Sequence, residues 1–104
     1  MKREPAAGRA VGALRRTYRA ANATHKSTGA AAIVATKAAW FAAEDDVALA
    51  AAQAALGALE AAATVADEAK ADLKAAEKCK RLVDLLTCDR PAVRTAAQMS
   101  LEVV

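Results

Sequence analysis

Aromatic side chains are nearly missing from this chain: one Trp, one Tyr and one Phe in 104 residues. β-Branched residues are sparse as well, so strands are excluded as the main element. Two prolines and four glycines leave few places to turn. One histidine and two cysteines leave little to hold a metal. His25 stands among Thr24, Lys26 and Ser27 with no acid close in sequence, and reads as an exposed residue at a helix junction. Cys79 and Cys88 have no companions, whereas a metal site needs three or four ligands at workable spacing. On one helix the two thiols would be about 13.5 Å apart and point to opposite sides, too far to bond. They read as buried or inert.

Catalytic patterns are missing too. The segment HKSTG (25–29) shares its Lys-Ser-Thr with the end of a phosphate-binding loop but lacks the glycines before the lysine. No glycine-rich fingerprint, nucleophile elbow or pair of catalytic acids stands out, and the acids of DEAKAD fit a solvated helix face. The expectation is a protein that is not an enzyme, with no catalytic residues, no cofactor and no metal. The opening MKREPAAGRAVGAL starts basic, but Arg9 interrupts any apolar signal region. A reduced, cytoplasmic protein is expected, and the NAT at 22–24 reads as a chance sequon.

What the chain has is alanine, 33 of them, against 19 residues of Leu, Ile, Val and Phe together. That apolar share is in the range of disordered chains. However, the formal net charge is only +3, and alanine is the best helix former. The fold class is therefore all-α: a long, alanine-rich antiparallel hairpin or bundle, with a kinked basic N-terminal arm and a short C-terminal helix, in a single domain over 1–104. Burying methyl groups removes little apolar area at about 25 cal/mol per Å². Self-association or a partner is expected to supplement so thin a core.

Four helices are predicted. Residues 5–24 make a basic amphipathic helix, opened by Pro5, with Ala7, Val11, Leu14, Tyr18 and Ala21 on one narrow face. HKSTG breaks or kinks the chain, with Ser27 or Thr28 as a cap. Residues 30–43 form an apolar helix whose Ile33, Val34, Trp40 and Phe41 read as core, with an exposed docking face as the other reading. The acids Glu44 to Asp46 favour a helix start after a tight turn, although one uninterrupted helix through residue 44 stays open. A long helix then covers 46–87, about 60 Å, with Leu49, Leu56 and Leu59 in its first half. Val65, Ala69, Leu73, Ala76 and Val83 line one side of its second half, and Glu77 and Arg81 form an i,i+4 pair. Pro91 opens a short helix over 91–102, capped by Asp89, with Val93, Ala96, Ala97 and Leu101 as its apolar side.

The stretch ALAAAQAALGALEAAATVA (48–66) has eleven alanines in nineteen positions. Small side chains let helix axes approach at the low end of the usual 8–10 Å. Its natural partner is the equally alanine-rich arm before residue 44. Charge agrees: residues 1–37 carry eight basic side chains and one acid, and 38–78 carry eight acids and three lysines. The length of 47–66 suits a membrane span, but Gln53 and Glu60 lie inside it and alanine is barely apolar, so a membrane is set aside.

Arg9, Arg15, Arg16, Arg19 and Lys26 form the basic strip, the candidate partner-binding set, while Ile33, Val34, Trp40, Phe41, Leu49, Leu56 and Leu59 are the candidate packing or interface set. The leading expectation is a structural or assembly protein joined to itself or to a larger complex by close helix contacts, as in a phage or viral particle. Two alternatives stand beside it. One is a small nucleic-acid-associated regulatory protein, with the strip meeting phosphates rather than bases. The other is a helical inhibitor or adaptor that occupies a protein groove.

Overall fold

The computed structural model describes residues 4–42 and 44–102. They form four helices and, among the described residues, no strand: α1 (Pro5–Phe41), α2 (Asp46–Glu77), α3 (Leu82–Leu86) and α4 (Pro91–Glu102). This is the all-α helical hairpin with a short C-terminal helix. The chain divides into two compact units. The first takes the chain up to Arg19 and from Asp67 onward, and the second is Ala20–Ala66.

The first unit holds a mixed core. Leu85 of α3, Val11 of α1 and Val93 of α4 are its largest fully buried side chains. Leu14, Leu73, Ala7, Ala10, Ala76 and Ala97 join them, and Tyr18, Leu82 and Leu86 pack on the edge. Burying a side chain such as Leu85 contributes about 1.5–3 kcal/mol. Leu101 is half exposed instead of buried, and the last inward position of α4 is Ser100, whose hydroxyl donates to the Ala96 carbonyl at 2.9 Å.

The predicted helix over 46–87 ends ten residues early, at Glu77. The cause is the position of the leucines. On a straight continuation Leu85 would lie about 180° around the helix from the buried Ala76. Stopping the helix and restarting it at Leu82 turns Leu85 fully inward. Glu4 secures the restart: its carboxylate accepts from the Leu82 N–H at 2.8 Å, and its own N–H donates to the Lys80 carbonyl at 3.2 Å. A side chain 78 residues away thus supplies the cap that Arg81 does not. Because Arg81 lies beyond α2, it is not an i,i+4 neighbour of Glu77 on one helix. Val83 is half exposed, outside the buried side predicted for it.

The second unit is a two-helix hairpin. Ala20 to Phe41 of α1 and Asp46 to Ala66 of α2 are joined by a turn in which the Asp45 N–H donates to the Ala42 carbonyl at 2.8 Å. Asp45 caps α2, its Oδ1 accepting from the N–H groups of Val47 at 2.9 Å and Ala48 at 3.4 Å. The acids after Phe41 therefore end one helix and open the next, and a single helix through residue 44 does not form.

The break predicted at 25–29 is absent, and α1 runs helical through it. The hydroxyls that were expected to cap a new helix bond back into the same one. Thr24 donates to the Ala20 carbonyl at 3.1 Å, while Ser27 and Thr28 donate to the Thr24 carbonyl at 3.1 and 2.7 Å. Alanines on both sides supply the propensity to carry the helix on. Gly29 sits close under Leu59 of α2, so the glycine read as a weak joint is a point of contact between helices. His25 is accordingly a half-buried residue on the inner side of a continuous helix, not an exposed residue at a junction.

Inward positions recur with a spacing of four and three along each helix of this unit. On α1 they are Ala21, His25, Thr28, Ala32, Ala35 and Ala39; on α2, Ala48, Ala52, Ala55, Leu59, Ala62 and Ala66. This is the 3.5-residue period of a coiled-coil seam, with alanine at most of its positions.

Candidate functional site

The alanine seam leaves most of the large side chains of the second unit outside. Ile33 and Trp40, seven apart, and Val34 and Phe41, seven apart, form two adjoining rows on the outer face of α1. Their exposures are 58% and 81%, and 69% and 86%. This corrects the core reading of these four residues. The heptad gives the reason: the seam takes positions 32, 35 and 39, so residues 33–34 and 40–41 point away from it. Leu49 and Leu56 on α2 are also exposed, flanking the seam rather than filling it, as are Val47 and Val65. Leu59 alone of the seven candidate packing residues reaches the seam, where it is half-buried over Gly29. α2 has the length and composition of a membrane-spanning helix, and only 6% of its most apolar window is buried, unlike the core helix of a soluble protein.

The basic strip is divided by its surroundings. Arg9 donates from Nη2 to the Ser100 carbonyl at 3.1 Å, tying α1 to the end of α4. Arg15 pairs with Glu77 at 3.6 Å, both side chains being nearly half exposed. A pair in that setting contributes about 0–1 kcal/mol. Arg16, Arg19 and Lys26 have no ion-pair partner among the described residues. Two of the five candidates therefore brace the fold, and the other three remain as exposed cations.

The first unit also contains an open groove of about 1000 Å³. α1 forms one wall through Gly8, Gly12 and Arg16, α4 the other through Ala92 and Met99, and Ala69 of α2 lies beneath. Its surface is mainly apolar. Its acid, Asp72, is engaged by Arg90, whose guanidinium bonds the Asp72 carboxylate. That hydrogen bond, reduced somewhat by desolvation, raises the already high pKa of Arg90. Arg94 of α4 donates to the Cys88 carbonyl at 2.6 Å and so holds the α3–α4 connection, and the Arg90 carbonyl, accepting from the N–H groups of Val93 and Arg94, opens α4. Cys79 and Cys88 are half-buried against the same core. Sequence reasoning did not find the groove. The signal was Gly8 and Gly12, two glycines four apart in an alanine-rich helix.

No group of three or more His, Cys, Asp or Glu that could hold a metal occurs among the described residues. No protein-family model, curated protein or solved structure matches the chain. What the fold defines is an all-α helical hairpin with a small C-terminal helical cluster, and its functional content rests on its own surfaces.

Proposed function

We propose that this chain is a non-enzymatic assembly subunit whose alanine-seamed hairpin is covered, in the working state, by copies of itself or by a larger protein complex. The observation that carries this reading is the inside-out character of the second unit. Its buried residues, among those described, are Ala32, Ala52 and Ala66, while Ile33, Val34, Trp40 and Phe41 are exposed together. A contiguous apolar patch of this kind on a soluble protein marks an interaction site. Covering a side chain the size of Phe41 returns about 1.5–3 kcal/mol. A lipid partner fits less well. Lys26 and Lys37 of α1 and Gln53 and Glu60 of α2 belong to the same hairpin, and each is costly in hydrocarbon. The nucleic-acid reading loses support because Arg9 bonds the Ser100 carbonyl and Arg15 has an acidic neighbour, Glu77, at the surface.

Sedimentation velocity over a concentration series tests the proposal. The expected mass lies well above 10.7 kDa and falls in a Trp40→Ser/Phe41→Ser variant. A wild-type chain that stays monomeric at millimolar concentration overturns it.

A further inference from the structure

Three helical glycines have no explanation inside the chain. None has positive φ. A Cβ built on Gly8 or Gly57 would meet nothing within 4 Å, and one on Gly12 would meet only the tip of Arg16, at 3.7 Å. Alanine stabilises a helix interior relative to glycine, and alanine is the commonest residue of this chain. An absent Cβ with open space above it suits the close approach of another backbone.

Gly8 and Gly12 lie on the α1 wall of the groove in the first unit. Gly57 lies on α2 in the second unit, about 180° around the helix from the seam residue Ala66. Its neighbours on that outer face are Glu60, Ala61 and Thr64, all exposed, with Leu56 alongside. The groove offers Arg16, and the outer face offers Glu60; neither has an ion-pair partner among the described residues. The two units also differ in charge. Thirteen of the fifteen basic and eight of the twelve acidic side chains belong to the first, a formal +5, which leaves the second at −2.

Resting on the assembly reading, we infer that the partner in the groove is a second copy of this chain: the outer face of α2 around Gly57 seats between α1 and α4 of the next copy. Glu60 of one copy meets Arg16 of the other, and Leu56 enters the apolar groove. The two surfaces are different patches, so the contact is head-to-tail and repeats into a ring or filament instead of closing as a simple two-fold pair.

The test uses Gly12→Leu, which fills the groove, and Gly57→Leu, which blocks the seating face. A Cβ at neither glycine would strike a backbone neighbour, and circular dichroism checks that helicity is kept. Wild type is expected to grow past the dimer with concentration. Each variant alone should need at least tenfold more protein to associate. An equimolar mixture of the two should recover association at the wild-type concentration but stop at one groove-to-face pair in the head-to-tail direction, because only one intact groove and one intact face remain. Arg16→Glu or Glu60→Arg alone should weaken association, and the double variant should recover it. These surface changes keep the test decisive if a leucine variant unfolds. Association of Gly12→Leu and Gly57→Leu at the wild-type concentration overturns this contact and leaves the assembly reading standing. A monomeric wild type overturns both.

Discussion

The two units are built from the same helices but solve the packing problem in opposite ways. In the first, α1 and α2 are joined by α3 and α4, and leucine and valine from four elements fill the interior. In the second, two helices face each other across a seam of methyl groups, and the large side chains lie outside. Both follow from side-chain size. A leucine needs a cavity walled on several sides, which a third and a fourth helix provide. Two helices alone provide a seam, and the closest seam is made by the smallest side chain. The consequence is that the first unit buries its leucines and valines, whereas the second leaves Ile33, Val34, Trp40 and Phe41 exposed.

The sharpest way to break that contrast is to delete one large side chain from each unit. Leu85→Ala empties a fully buried site among α1, α2 and α4, and should cost about 2–5 kcal/mol in urea unfolding. Phe41→Ala removes an 86% exposed ring, and in the dilute monomer should shift stability by no more than about 0.5 kcal/mol. Equal losses at the two sites would mean that the second unit has a core after all.

The seam can be attacked from the other direction. Ala52→Leu introduces a branched side chain where the helices of the second unit meet. Overpacking of this kind should cost about 1–3 kcal/mol, read from the same unfolding curves. At Ala51, one position along and exposed, leucine should be close to neutral. If Ala52→Leu stabilises the chain, the helices are not held together by methyl-sized contacts.

Glu4 sharpens the account of the first unit. Its carboxylate caps α3 from the far end of the chain, so Glu4→Ala should cost about 1 kcal/mol, as loss of a helix cap does. Amide exchange at Leu82 should quicken more than at any residue of α4. Unchanged exchange there would show that α3 starts without help.

The sequence made the fold class legible because alanine content and the shortage of turn residues point the same way. The first inner face was legible as well: Ala7, Val11, Leu14 and Tyr18 line it as their spacing predicts. Two junctions were misread, each for its own physical reason. At 25–29 hydroxyl residues and a glycine imitate a helix end, but the hydroxyls found carbonyls in their own helix. At 78–81 no breaker residue marks the end, and the helix stops for tertiary reasons, the burial of Leu85 and the cap from Glu4. Local propensity cannot report either. Ile33, Val34, Trp40 and Phe41 were misjudged because greasiness was taken for burial. The four-and-three spacing of the alanines beside them already pointed the seam elsewhere. The groove was hidden because it needs three helices to exist, and only the helical glycines hinted at it.

The smallest expected effect is also the most discriminating. Gly57→Ala adds a methyl group to an exposed helical position that has nothing within 4 Å. It should raise the stability of the isolated chain by about 0.5–1 kcal/mol, through helix propensity and a less disordered unfolded state. Gly8→Ala should do the same for the first unit. If α2 seats in the groove of a neighbouring chain, the same methyl group holds the two backbones apart, and both variants should associate more weakly while melting higher. Stability and association would then move in opposite directions from one atom. A variant that gains in both would show that the glycine spares no room for a partner.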